Sequence, residues 1–118
     1  MINMQIQLIN AYEMSVQNPE KFEFPSNDEL AKIKIGDGVK ICNGKERFWT
    51  QVTNIQINNQ NILDSTIIAI VDNNLIDSSE YDYGTVLSFN FKNIYDIYFK
   101  DNKTEFLRAV LEKVKKLK

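Results

Sequence analysis

Histidine is missing altogether from these 118 residues. Its absence removes the usual general base near neutral pH, the Ser-His and Cys-His nucleophile pairs and the commonest transition-metal ligand. Cysteine is almost as scarce. Cys42 stands alone, so no intrachain disulfide can close and no cysteine-built zinc site can assemble within one chain. A reduced, cytoplasmic compartment is the expectation. Apolar runs are short: none approaches the ~18 residues of a membrane span, and Met1-Ile2-Asn3-Met4-Gln5 lacks the basic segment and apolar stretch of a signal peptide. Two prolines and four glycines are too few for a disordered tract. Positive charge is not in excess either. With 14 Lys and Arg against 16 Asp and Glu, the net charge is −2, which argues against a broad nucleic-acid footprint.

What is present fits an ordinary globular core: 43% of residues are hydrophobic and 25% charged. A chain of this length suits one domain spanning 1–118, able to bury roughly two-thirds of its unfolded surface without a metal or disulfide. Ile2, Ile6, Ile9, Ala11 or Tyr12, and Val16 recur near a 3.6-residue period and predict an N-terminal helix over 1–18, ended by Asn18-Pro19. A rival reading takes Met4, Ile6 and Leu8 as a strand. In Lys21-Phe22-Glu23-Phe24-Pro25, two aromatics need somewhere to bury. Ser26-Asn27-Asp28-Glu29 has the pattern of a capping box and predicts a short helix.

Gly36-Asp37-Gly38 then turns the chain into the stretch around which the rest is organised. A strand over 39–42 leads to Asn43-Gly44, a type I′ hairpin signal, and to a long strand over 46–57 carrying the only tryptophan. A third strand over 62–71 is rich in isoleucine. The 75–83 segment is a loop of Asp, Ser and Tyr. In a fourth strand over 85–91, Leu87, Phe89 and Phe91 alternate with Val86, Ser88 and Asn90. One helical turn precedes a short fifth strand over 96–99. A last helix over 103–117 carries Phe106, Leu107, Val110, Leu111, Val114 and Leu117 on one stripe and ends in lysines. The expected architecture is α+β. It is a small SH3-like β-barrel, or a strongly bent antiparallel sheet of about five strands, over 36–99 with a helix at each end.

Glu46-Arg47-Phe48-Trp49 followed by Val52-Thr53 and Ile55, with Gly36-Asp37, Val71-Asp72-Asn73 and Tyr83-Gly84 around it, resembles the small bacterial YegJ-like domains, also called domain of unknown function 2314. The resemblance spans about 19–97. Those domains have no established activity, so it implies a fold neighbourhood and a bacterial or phage setting rather than a function.

The candidate binding residues are Arg47, Trp49, Asp37, Asn73, Tyr81 and Tyr83. Arginine and aromatics dominate interface energetics, and successive strand residues face opposite ways. One of Phe48 and Trp49 is therefore core and the other free to face a partner. The 36–38 turn and the 75–84 loop, with Arg47 beside them, form the expected recognition surface. Asp72, Asp77, Glu80 and Asp82 lack the ordered spacing of a calcium loop, and Tyr81, Tyr83, Tyr95 and Tyr98 sit among acids that would repel phosphate. Cys42 reads as a buried, inert thiol. No catalytic set, cofactor or metal site is legible. The expectation is a non-catalytic module that binds a protein or a small ligand, immunity- or antitoxin-like in class. The alternative is a small enzyme using Asp37 with Asp72 or Asp96 as acid and base.

Overall fold

A computed structural model of the chain describes residues 4–5, 7–78 and 80–101. Its strands are β1 (Met4–Gln5), β2 (Gly38–Cys42), β3 (Arg47–Gln56), β4 (Thr66–Val71), β5 (Val86–Asn90) and β6 (Asp96–Tyr98). Two short helices lie between β1 and β2, α1 (Ala11–Gln17) and α2 (Asn27–Ala31). The expected helix over 103–117 lies outside the described residues.

The sheet runs β1-β5-β4-β3-β2-β6. Five strands, β2 to β6, pair antiparallel, and β1 joins β5 in parallel through Met4 opposite Leu87 and Gln5 opposite Ser88. The sheet is open. Closing a barrel requires its two edge strands to pair, whereas among the described residues β6 bonds only to β2, and β1 only to β5. This overturns the SH3-like barrel expected from the sequence. The apolar face is covered instead by residues outside the strands. Leu30, Ile33, Leu75, Phe91 and Ile94 pack with Val39, Ile41, Phe48, Val52, Ile67, Ala69, Val71, Leu87 and Phe89 in one cluster.

Period-two alternation places those strand residues. Along β3, Phe48, Thr50 and Val52 point inward, and the buried Thr50 hydroxyl donates to the Val39 carbonyl at 3.0 Å. A bulge between Val52 and Asn54 adds one residue, after which Ile55, opposite Ile67, packs against the core. Without that extra residue the register would turn Ile55 to the outer face.

Three local expectations are corrected. The N-terminal region is not one helix over 1–18: α1 begins only at Ala11, where the Asn10 side chain accepts from Glu13 N at 3.0 Å, and Met4–Gln5 is strand. The Asn43-Gly44 turn is not type I′, which needs positive φ at both residues. Only Gly44 has it (φ 91°), and Cys42 pairs with Arg47 across a four-residue loop. The Asn43 side chain holds that loop by accepting from Lys45 N and Glu46 N, both at 2.9 Å. The third strand starts at Thr66, because residues Ile62–Asp64 form a 3-10 turn capped by Asn61. The capping box at Ser26 forms as expected, with both of its bonds at 3.1 Å.

Candidate functional site

Phe48 takes the core and Trp49 the opposite face, so Arg47 and Trp49 project together from the outer side of β3. Lys40 of β2 lies opposite Trp49, and its ammonium sits 5.1 Å from the indole centroid, within cation-π range. Asn73 accepts a hydrogen bond from Trp49 N, and Asp72 N donates to Trp49 O at 2.9 Å. Asn73 thus acts on the backbone of the site, fixing where β3 presents its two outward side chains. At Gly38 a Cβ would come within 3.4 Å of the indole and 3.3 Å of Tyr98 Cβ. The missing side chain is what lets the indole and the Tyr98 Cβ lie close to β2.

Arg47 is exposed and lies over two rings that sequence reading did not connect to it. Its guanidinium carbon is 4.7 Å from the Tyr95 centroid and 5.7 Å from that of Phe22. The rings meet edge to face at 6.4 Å. Tyr95 is brought there by its N–H, which donates to the Lys40 carbonyl at 2.7 Å. Together with Lys21, Glu23, Phe24, Pro25, Glu29, Lys40 and Asp96 these residues line a cleft of about 400 Å³. Burial, and then proximity to Cys42, push the Tyr95 hydroxyl above the usual tyrosine range against the lowering pull of Arg47. The ring under the guanidinium is therefore neutral near pH 7. Among the described residues no hydrogen bond or ion pair engages the Arg47 side chain, since the ion pairs run Lys34–Asp101, Lys45–Asp77 and Lys92–Asp64. Cys42 is half-buried on this same outer face rather than in the core.

The remaining expected site residues lie elsewhere. Asp37 is buried, and its carboxylate accepts from Lys34 N at 2.8 Å and Lys100 N at 3.0 Å. It ties three chain segments together and lines a neighbouring cleft with Lys32, Lys34, Phe99 and Asp101, which meets the Arg47 cleft only at Glu29. Tyr81 packs against Phe48, centroids 6.0 Å apart, and its hydroxyl accepts from Asn43 Nδ2 at 2.9 Å. Tyr83 is 64% exposed. The 36–38 turn and the 75–84 loop stand at opposite ends of β2, the loop being strapped to the 43–46 turn. Glu46 accepts from Ile76 N and Asp77 N at 3.0–3.1 Å, and Lys45 pairs with Asp77 at 2.6 Å, which raises the lysine pKa. The recognition surface expected from the sequence is not assembled.

That strap makes a local prediction. Replacing Glu46 by alanine removes the carboxylate that accepts from Ile76 N and Asp77 N, so exchange of the Ile76 amide should accelerate at least tenfold, the equivalent of about 1.4 kcal/mol of local stability. Unchanged exchange at Ile76 would mean that the loop is held by other contacts.

The carboxylates of the alternative enzyme reading are apart. Asp96 and Asp72 end the outer-face row Asp96-Lys40-Trp49-Asp72, three strand spacings or about 14 Å, and Asp37 is committed to backbone amides. No group of three potential metal-ligating side chains occurs among the described residues, and no helix among them is long and apolar enough to cross a membrane. Sequence reading missed Phe22, Lys40 and Tyr95. The one available signal was the pair of aromatics in the 21–25 linker, which had to pack somewhere. Comparison with protein-family models, with curated proteins and with solved structures gives no match.

Proposed function

We propose that the protein is a non-catalytic binding module whose recognition surface is the cleft around Arg47. The single observation behind this reading is the state of that arginine. Its apolar plane rests on Tyr95 and Phe22 while its N–H groups have no partner among the described residues. A guanidinium supported in this way has lost part of its rotational freedom before any ligand arrives, which lowers the entropic cost of binding. Trp49, with Lys40 over its ring, extends the surface along the sheet. Arginine and tryptophan are the side chains that most often carry interface energy.

The setting proposed with this function is the cytoplasm of a bacterium or phage-infected cell, in an immunity- or antitoxin-like accessory role, with a protein or small ligand as partner. Kinship with the YegJ-like domains is part of the same proposal and rests on the Glu46-Arg47-Phe48-Trp49 pattern and its neighbours. The test is affinity capture from the native host, with partners quantified by mass spectrometry for the wild type, Arg47→Ala and Tyr83→Ala. A partner held by the wild type and by Tyr83→Ala should fall about thirtyfold with Arg47→Ala, the effect of a ~2 kcal/mol hot spot. Full retention by Arg47→Ala would move the site elsewhere.

A further inference from the structure

Resting on the binding-module reading, we infer that the ligand of this cleft is an acidic peptide segment of a protein partner, with a side-chain carboxylate taking the open edge of the Arg47 guanidinium. The chemistry of the cleft divides its charges into two groups. On the cationic side, Arg47, Lys40 and Lys21 all line the cleft, and none of them has an ion-pair partner within 4.0 Å among the described residues. On the anionic side, two of the three carboxylates already serve their own backbone. Glu29 accepts from Ser26 N at 3.1 Å, and Asp96 accepts from Ile97 N at 2.8 Å. Each carboxylate keeps further acceptor sites and the three acids balance the three cations, so what sets the cleft apart is the edge of Arg47, whose N–H groups meet no acceptor among the described residues.

A planar fork of donors whose face is occupied by rings offers its edge, and the geometric complement of that edge is a carboxylate or a phosphate bound through two parallel bonds. The choice between them follows from Glu23, Glu29 and Asp96, which stay in the cleft walls. An oligonucleotide backbone fixes one charge on every nucleotide and cannot turn those charges away from the three carboxylates. A peptide keeps its backbone neutral and carries each carboxylate on a flexible stem, so it can set one on Arg47, turn the others to solvent and direct amide N–H groups toward Glu23 or Asp96. Its apolar stems find Phe22, Phe24 and Tyr95. The cleft volume of about 400 Å³ lies within the ~300–1,000 Å³ of ordinary ligand sites, enough for a few side chains rather than a folded surface.

The experiment is an amide NMR titration of the full chain with three probes: blocked pentaglutamate, blocked pentaglutamine and inorganic pyrophosphate. Pentaglutamate should bind saturably at millimolar concentration or below, shifting the Phe22, Lys40, Arg47 and Tyr95 amides and the indole N–H of Trp49. Pentaglutamine should not bind. Arg47→Ala, an exposed position that leaves the core intact, should weaken pentaglutamate about tenfold or more, and Arg47→Lys should weaken it less because charge survives while the fork is lost. Equal binding of pentaglutamine, an affinity indifferent to Arg47→Ala, or tighter Arg47-dependent binding of pyrophosphate would each overturn the inference. Its failure is separable from failure of the module reading. A captured partner lost with Arg47→Ala, together with no pentaglutamate binding, leaves the module standing and removes the acidic peptide. Pentaglutamate binding together with a captured partner indifferent to Arg47 does the reverse.

Discussion

Replacing Phe89 by alanine is expected to remove about 3–5 kcal/mol of folding stability, the usual result of truncating a buried phenylalanine. Phe89 lies in β5 opposite Ile67 of β4 and is 5% exposed, in the same cluster as Phe48, Leu87 and Phe91. Its neighbours are held by paired strands on one side and by the chain of the 91–93 turn on the other, so they cannot collapse fully into the space left behind. The cost is the lost transfer energy together with the residual cavity. Ser88→Ala, on the outer face of the same strand, supplies the control and should change stability by less than about 0.5 kcal/mol. Urea unfolding at a common slope measures both. A loss below about 1 kcal/mol for Phe89→Ala, the level of an exposed site, would mean that β5 is out of register by one residue, which would exchange its two faces.

Asp37→Ala should cost about 2–4 kcal/mol, although the residue lies in a turn. At 4% exposure its carboxylate accepts from two backbone amides, those of Lys34 and Lys100, and hydrogen bonds to a charged acceptor contribute roughly 1.5–3 kcal/mol each without adding fully. The same turn is bonded to β3 through Gly36 N to Val52 O at 2.8 Å and Val52 N to Asp37 O at 2.9 Å. Removal of the side chain strands two donors and loosens the junction between the start of β2 and the end of β6. Asp37→Asn keeps an acceptor of the same shape while turning an N–H₂ toward one amide, so its loss should be smaller than that of alanine. Equilibrium unfolding and exchange of the Lys34 and Lys100 amides give the answer. Wild-type stability in Asp37→Ala would show that the carboxylate holds neither amide. In folded Asp37 variants the affinity for a captured partner should not change, because the residue supports the scaffold and lies outside the Arg47 cleft.

Some local physical signals in the sequence matched the fold, while the Asn43-Gly44 turn signal and the periodicity before Ala11 did not. Ser26 and Glu29 are sufficient to write a capping box. Leu87, Phe89 and Phe91 alternate with polar neighbours and do face the core. What alternation specifies is which face each side chain takes. It is silent on whether the two outermost strands meet, and so an open sheet was read as a barrel. Met4–Gln5 became strand through a pairing with Leu87 and Ser88 more than eighty residues away along the chain. The helical spacing of Ile2, Ile6 and Ile9 hid it, and its one trace was the rival reading of Met4, Ile6 and Leu8 as a strand. At Asn43 the side chain took over the role that positive φ would have played in a type I′ turn, an alternative open to any asparagine.

The site divides in the same way. Arg47 and Trp49 were legible because i and i+2 share a strand face. Phe22 and Tyr95 were not, since they reach Arg47 from a linker and from a turn before an edge strand. Asp37 was legible as a position that matters, but a charged residue between glycines reads equally well as ligand-facing or as an anchor. Only the burial and the two accepted amides decide for the anchor.

The central claim is that recognition occurs in the cleft between the 21–25 linker and the outer face of β2, β3 and β6. Hydrogen-deuterium exchange of the chain with and without its captured partner addresses that claim most directly. The account predicts slowed exchange on binding in 21–25, around Lys40, at 47–49 and at 94–96, with the 75–84 loop unchanged. Protection confined to 75–84, with the 21–25 linker exchanging as in the free chain, would contradict it.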